Sequence, residues 1–348
     1  MMCMKYLNLF LFLFSLIISA QTIDLTIVDY SSNLPLENAD VYFKNSSKNF
    51  ISDQKGRLTI DLSDIHSHDE LIVSKKEYHS IQIAVESINA DLMVKLERID
   101  EIELNEAIVT IVTLDDVLRK VIENYPQNYN VDQYYLLVDL KQNIKIDTLY
   151  ENLLNFNVQL KFNNGKVKAK SSGIIKNRVE DGVAPIQVSF DQSDYFKHLY
   201  LLEVIQVLRE KYRKNHYSFS ELKRTEYAGK KMYEVFIENG EHDKNYLLID
   251  RDSYSIVEYL YIIRNTISTN KNTPLSRNGI VSFKYRPYRE GWVLKESEVN
   301  FKMQLDHQKY KNLQVDFYHK ITTSNFSEKP FQYFNKNIDL NQNLHDQF

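Results

Sequence analysis

The sequence lacks the residues on which several common kinds of active site depend. Its single cysteine, Cys3, can form no disulfide within the chain and no cysteine cluster for a metal. Its eight glycines include no phosphate-binding loop, no dinucleotide fingerprint and no Gly-x-Ser-x-Gly elbow. These absences argue against a thiol-dependent enzyme, a nucleotide-binding enzyme and a serine hydrolase of the α/β type.

An excess of basic residues and a second long apolar run are also missing. The chain has 43 lysines and arginines against 47 aspartates and glutamates, a formal net charge of −4. A nucleic-acid binder is expected to carry a strongly basic domain or patch. A transmembrane helix needs about 20 consecutive apolar residues, which occur nowhere after the first 20 positions. We therefore expect no nucleic-acid partner and no transmembrane segment in the exported chain.

The first 20 residues have the pattern of a secretory signal peptide. Lys5 supplies a positive start, Leu7 to Ile18 is almost wholly apolar, and Ser19-Ala20 offers small residues for cleavage. Cys3 precedes the apolar run, whereas a lipoprotein acceptor cysteine would follow it. We expect this leader to be removed on export. The protein would then be periplasmic, or associated with the outer membrane or the cell surface.

Residues 21–98 alternate between apolar and polar side chains, as half-buried strands do. Turn-rich pieces such as Ser31-Ser32-Asn33 and Asp53 to Gly56 separate the alternating stretches. About seven short strands in so few residues predict a β-sandwich. The alternating stretches are Ile23–Ile27, Val41–Phe43, Leu58–Leu62, Leu71–Val73, Ile81–Val85 and Leu92–Leu96.

The turn and core residues of this domain resemble those of a known module. The residues that carry the resemblance are Pro35, Leu36, Ala39, Val41, Ser52, Asp53, Gly56 and Leu58. Their spacing is similar to that of the carboxypeptidase-regulatory-like domain, a transthyretin-like sandwich that opens many envelope proteins of the Bacteroidota. The resemblance implies an accessory module without catalytic residues. Two positions depart from the family pattern, since the first strand lacks the usual glycine and Glu77 replaces another.

The sequence predicts an acidic linker over residues 99–112 and an α+β domain over residues 113–348. Thr113 and Asp116 predict a capped helix that ends at Asn124-Tyr125-Pro126. A long helix over 191–213 is apolar around much of its circumference, which predicts that it packs onto a sheet. A largely antiparallel sheet, which could curve into a half-barrel, is predicted from alternating stretches near 157–162, 166–175, 219–227, 231–238, 245–250, 255–264, 280–286, 291–304 and 310–322.

Two adjoining stretches, Lys244 to Asp250 and Ser255 to Tyr259, resemble the curved sheets of bacterial lipoprotein carriers. In those proteins a half-barrel with a helix across its mouth holds an acyl chain. The resemblance therefore implies an apolar ligand. The transporters that also begin with the first domain's module continue with many amphipathic strands of about ten residues, which this chain does not show. We expect no transporter.

Three groups of residues have patterns that could suit a functional site. His66, His68 and Asp69 have a spacing that suits a metal, but they fall in an expected polar turn without a further ligand nearby, so we interpret them as a solvated loop. Asp115-Asp116 fits the start of a helix. Lys166, Lys168 and Lys170 could meet phosphate groups, although protection of a sheet edge is the favoured interpretation.

The sequence thus assigns no catalytic, cofactor-binding or metal-binding residue, no cofactor, and no specific ligand-binding residue. We expect a non-enzymatic envelope protein whose second domain binds an apolar ligand such as a lipid, or a partner envelope protein. Two alternatives remain open at this stage. One is a hydrolase whose site is assembled from distant residues, and the other is a structural or adhesion module of the cell surface.

Overall fold

In the structure, which is a computed structural model, the chain folds into two compact units. The first runs to Arg98 except for residues 47–49, and the second comprises 99–348 together with those three residues. The predicted leader and most of the acidic linker lie outside the described residues. The described ranges are 22–46, 48–63, 65–88, 91–99, 112–129, 133–163, 166–185, 199, 204–205, 218–239, 243–268, 275–288, 291–305, 309–310, 312–342 and 344–348.

Seven short strands build the first unit and confirm the predicted sandwich. One sheet has the order β4-β1-β7 and the other the order β3-β2-β5-β6. Alternate residues of both sheets, such as Leu25, Val41 and Leu71, form the buried core between them. A 3₁₀ turn at Val85–Ser87 follows β6. The strands are β1 (Thr22–Asp29), β2 (Asp40–Phe43), β3 (Asn49–Ile51), β4 (Arg57–Asp61), β5 (Glu70–Ser74), β6 (Ile81–Ala84) and β7 (Asp91–Leu96).

The motif residues of the first unit fix its turns. Gly56 has φ +69°, the left-handed conformation that glycine adopts readily. A Cβ atom there would collide with the carbonyl oxygen of Ile27. The side chain of Asp53 accepts hydrogen bonds from the amides of Lys55 and Arg57, both at 2.8 Å. Because Asp53 holds the turn and Gly56 allows the close approach, these two residues specify this hairpin.

Glu77, one of the two departures from the family pattern, also has a positive φ, of 70°. Its backbone therefore has the conformation that the usual glycine would favour. A side chain in this region costs about 1–2 kcal/mol of strain, against which glycine loses about 0.5–1 kcal/mol of conformational entropy. The exposed ion pair of Glu77 with Arg98, at 3.1 Å, adds little to stability.

The backbone angles of these two turns predict that two substitutions have opposite effects on the free energy of unfolding. Gly56→Ala should lower the free energy of unfolding of the first unit by about 1–3 kcal/mol, because the new Cβ collides with backbone. Glu77→Gly should leave that free energy unchanged or raise it by up to about 1 kcal/mol. Calorimetric unfolding measures both, with Lys55→Ala as the matched control in an exposed position of the same turn. Equal losses in Gly56→Ala and Glu77→Gly would refute the assigned backbone geometry.

Among the residues that the structure describes, the second unit has one complete helix and a single sheet of eleven strands. The helix α1 (Leu114–Asn128) precedes the sheet, and a 3₁₀ turn (Leu344–Gln347) ends it. Every neighbouring pair described in the sheet is antiparallel. The strands are β8 (Tyr134–Ile146), β9 (Tyr150–Asn163), β10 (Lys166–Gly182), β11 (Ser218–Tyr227), β12 (Lys230–Asn239), β13 (Asp243–Asp250), β14 (Ile256–Ser268), β15 (Leu275–Tyr288), β16 (Gly291–Leu305), β17 (Leu313–Ser327) and β18 (Lys336–Ile338).

The order of the strands brings distant parts of the chain together. It runs β11-β12-β13-β14-β15-β16-β17-β8-β9-β10-β18. The seven strands from β11 to β17 form a meander, and the long strand β17 then pairs with β8, the first strand of the unit. The predicted α+β architecture with a largely antiparallel sheet is confirmed. Within the described ranges, no helix is both long and apolar enough to cross a bilayer.

The helix α1 begins as predicted and ends later than predicted. Thr113 and Asp116 form a capping box, with the Thr113 hydroxyl accepting from the Asp116 amide at 3.2 Å. The predicted end at Asn124-Tyr125-Pro126 is wrong, because the helix continues through Pro126 to Asn128. Tertiary hydrogen bonds hold this last turn, since Asn128 donates to the Ser253 carbonyl at 2.6 Å.

Of the predicted long helix over 191–213, only three residues are described. Val204 and Ile205 are helical and Leu199 lies in a turn. All three side chains are buried, as expected for a segment that packs onto apolar surface. The rest of the predicted helix lies outside the described residues.

Candidate ligand-binding face

The central strands of the large sheet present one apolar side and one polar side. Directly opposed residues of neighbouring strands point to the same side, so the register assigns each residue to a face. One row across β16, β17 and β8 joins Val299, His319 and Gln142. We call the side that contains this row the apolar face. Its other members in the same strands and β9 include Phe301, Met303, Val315, Phe317, Ile321, Leu136, Val138, Leu140, Ile144, Leu154, Phe156 and Val158.

The opposite side carries charged residues that pair across the strands. Glu296 lies 2.9 Å from the ammonium of Lys284 and 3.3 Å from that of Lys320. Burial alone would raise the pKa of Glu296, but Lys284, Lys295 and Lys320 together outweigh it and lower the pKa to about 2. This carboxylate is therefore ionised at neutral pH. Because it carries these paired charges, this side of the sheet is the one that suits contact with water.

Three separate segments contact the apolar face. From α1 and the residue after it, the ring of Tyr129 packs edge-on against Tyr285 with centroids 5.8 Å apart. The hydroxyl of Tyr285 also donates to the carbonyl of Leu199 at 2.6 Å, which ties the second segment to β15. In the third segment, the ring of Phe348 packs on that of Phe156, with the ring centroids 4.6 Å apart. The residues named for the apolar face in β8, β9 and β17 are all buried.

One end of the apolar face is only half-buried. Tyr259 and Tyr261 of β14, Val281 of β15, and Phe301 and Met303 of β16 keep intermediate exposure. Their register places them side by side, since Tyr261 is opposite Val281 and Tyr259 is opposite Phe283. We call these five half-buried residues the aromatic patch. It is continuous with the buried part of the apolar face through Phe301, which is opposite Phe317.

A glycine makes room for the central ring of the aromatic patch. Gly279 of β15 is directly opposite Phe301. A Cβ atom on Gly279 would collide with the Phe301 ring, so the ring lies over the glycine. An aromatic side chain that covers a glycine on the neighbouring strand is a known device for stabilising such a position. Gly279 therefore fixes where Phe301 lies on the face.

The polar side chains that lie within the apolar face include His319 and Gln142, next to its aromatic residues. His319 and Gln142 are directly opposite each other and are 0% and 3% exposed. The His319 ring is nearly parallel to that of Phe317, with centroids 6.4 Å apart. Burial lowers the pKa of His319 to about 3, so the imidazole is neutral at physiological pH. Among the described residues, no group accepts a hydrogen bond from the side-chain nitrogen of Gln142.

The sequence-based candidates lie elsewhere. His66 and His68 are exposed, and Asp69 is a buried structural residue whose carboxylate accepts from the Asn45 amide at 3.1 Å. Within the described ranges, no three histidine, cysteine, aspartate or glutamate side chains are grouped as a metal site would require. Asp115 and Asp116 open α1, as predicted. Sequence reasoning did not identify His319, Gln142 or Phe301, because their proximity depends on which strands pair.

Comparisons with known proteins find similarity only to remote structures. No protein-family model and no curated protein matches the chain. A putative outer membrane lipoprotein-sorting protein domain from Vibrio parahaemolyticus matches 62% of this chain and 92% of its own, at 11% identity and a TM-score of 0.24. A LolA superfamily protein from Nitrosomonas europaea matches 65% of this chain and 98% of its own, at 9% identity and a TM-score of 0.21.

A third similar structure is MucB in complex with MucA, which matches over 61% of this chain and 94% of its own. The identity is 10% and the TM-score is 0.24. Scores this low carry no argument about function, which rests here on the residues of the apolar face.

Burial of His319 predicts how stability depends on pH. The unfolded imidazole, with a pKa near 6.5, takes up a proton below that pH, whereas the folded imidazole stays neutral until about pH 3. Stability is therefore lost as pH falls through this window. From about pH 7 to about pH 5 the loss from His319 should be roughly 2 kcal/mol. His319→Gln should remove that part of the pH dependence.

Urea unfolding followed by the fluorescence of Trp292, which is buried in the same unit, measures this effect. The matched control is His66→Gln, which replaces an exposed histidine of the first unit and should leave the unfolding of the second unit as it is. An unchanged pH dependence in His319→Gln would contradict the burial of a neutral imidazole.

Proposed function

We propose that the second unit binds an acyl chain of a lipid on its apolar face, with the aromatic patch as the place of entry. The observation that carries the proposal is the half-buried state of Phe301 and its neighbours, next to a face that is otherwise covered. Three aromatic rings with an aliphatic and a thioether side chain offer a surface that suits a hydrocarbon guest. The same surface would also suit an apolar segment of a partner protein.

The energy available from such binding is sufficient for a stable complex. Each methylene removed from water contributes about 0.8 kcal/mol. An acyl chain laid on the aromatic patch would also shield apolar surface that remains partly exposed there. Aromatic side chains contribute large contact areas with little loss of conformational freedom. Even a partly enclosed chain would therefore bind appreciably.

The proposed role is non-enzymatic, and the state of His319 supports it. A general base works best when its pKa lies near the operating pH. With its pKa lowered to about 3, the His319 imidazole is a poor base at neutral pH. The buried amide of Gln142 is suited to polar contact with a ligand that lies among apolar side chains.

We further propose that the first unit is a carboxypeptidase-regulatory-like accessory domain, and that the protein works in the periplasm or at the outer membrane or cell surface. The positive φ angles of Gly56 and Glu77, at a motif glycine and at a usual glycine of the family, support the domain assignment. The proposed location rests on the signal-peptide pattern of the first 20 residues, which also motivates a lipid of the envelope as the ligand.

Binding of a fluorescent fatty acid tests the proposed function. The full chain should bind cis-parinaric acid, and Phe301→Ser should weaken that binding by about tenfold, as expected for loss of one large apolar contact. Lys302→Ser is the matched control, because this exposed neighbour points to the polar face. Equal affinity in the two variants, or no binding by the unsubstituted chain, would contradict an acyl site at the aromatic patch.

A further inference from the structure

Four lysines are concentrated on the polar face of the sheet at β9 and β10. Lys166, Lys168 and Lys170 alternate along β10 and are exposed, and Lys161 of β9 lies directly opposite Lys168. Like charges directly opposite each other destabilise a sheet. Folding alone therefore gives no reason for this pair. We call these four residues the lysine patch.

Two lysines of the patch, Lys168 and Lys170, have no ion-pair partner among the described residues. The ammonium of Lys161 lies 5.9 Å from the centre of the ring of Tyr135, the residue directly opposite it on β8. The residue of β9 directly opposite Lys170 is Gln159, which carries no charge. The patch is thus a local concentration of positive charge on a chain with a net charge of −4.

Two large apolar or aromatic side chains project into water beside the patch. Ile174 is 72% exposed. It lies where the β9–β10 register shifts and directly follows Gly173, whose φ is +82°. Tyr333 is 84% exposed with φ +72°. It lies between Phe331, whose amide donates to the Gln159 side chain at 2.6 Å, and Lys336, which is opposite Ser171.

Protection of a sheet edge accounts for only part of this arrangement. The strand β18 covers the edge of β10 at Ala169, Lys170 and Ser171 but not at Lys166 and Lys168, where lysines can discourage pairing with another strand. Past β18 the exposed residues of β10 include Lys176 and Arg178 but also Ile174, and an apolar side chain does not discourage such pairing. The combination of cations with exposed apolar groups therefore calls for a further role.

We propose that the lysine patch, together with Ile174 and Tyr333, docks the protein on the surface of a bilayer that contains anionic lipid. Lysines are attracted to acidic headgroups, and each lysine near such a surface contributes roughly fivefold in affinity. Isoleucine and tyrosine insert at the boundary between headgroups and acyl chains. A soluble anion such as an acidic glycan would use the lysines but would gain nothing from exposed Ile174. This docking surface is independent of the acyl site proposed above.

Sedimentation with lipid vesicles tests the docking surface. The full chain as its host exports it should bind vesicles of equal phosphatidylcholine and phosphatidylglycerol, and bind phosphatidylcholine alone far more weakly. Binding should weaken as salt rises, because the screening length shrinks from about 10 Å at 0.1 M to about 3 Å at 1 M. Lys168→Gln with Lys170→Gln should lower the affinity by about tenfold or more. Ile174→Ser with Tyr333→Ser should also lower it.

Lys145→Gln with Lys302→Gln is the matched control, since both lysines are exposed on the polar face and lie on either side of Asp316 in the register. This pair should leave vesicle binding unchanged. The proposal is overturned if the full chain ignores phosphatidylglycerol, or if both lysine pairs cause the same loss. A loss with the lysine variant but none with the Ile174 and Tyr333 variant would also overturn it, in favour of a soluble polyanion.

Discussion

The alternation of side chains along the long strands is the constraint on which the second unit depends. Strands of 13 to 17 residues, such as β8, β10 and β16, carry apolar and polar residues on opposite sides over much of their length. Paired in one sheet, they create a continuous apolar face that must be kept from water. Its coverage by α1, by the segment with Leu199, Val204 and Ile205, and by Phe348 follows from that requirement. The half-buried aromatic patch is the part that this coverage leaves open.

The same constraint explains where the polar groups lie and what they can do. Glu296 is ionised because lysines of the polar face surround it, whereas His319 is neutral because it lies on the apolar face. A buried amide is costly among apolar side chains unless something satisfies it. Retaining Gln142 in the interior is understandable if a bound molecule accepts a hydrogen bond from its side-chain nitrogen. Functional sites are where proteins tolerate such local conflicts.

Much of the fold could be predicted from the sequence, because alternation and turn chemistry are local properties. The strands from β11 to β17 begin and end within five residues of the predicted stretches, and the predicted stretches near 157–162 and 166–175 pair with each other as parts of β9 and β10. The Gly56 turn and the Thr113 cap followed from residues close together in the chain. The helix α1 extends past Pro126 because a contact with Ser253, far along the chain, stabilises its end.

The site could not be predicted in the same way, because it depends on which strands are neighbours. His319 meets Gln142 only because β17 pairs with β8, and no local pattern encodes that pairing. Phe301 lies over Gly279 through the register of β15 and β16. The predicted edge role of Lys166, Lys168 and Lys170 likewise could not take account of β18, which is contributed by residues far along the chain.

The central claim is that the apolar face holds an acyl chain, and the mass of the intact native protein tests it most directly. Protein extracted gently from its host should show, by native mass spectrometry, an added mass that corresponds to a lipid. Dissociation in the gas phase should release that lipid, and fragments should place it on residues 112–348. Protein that emerges without any added mass, and that takes up no lipid when mixed with an extract of the same membranes, would contradict the account.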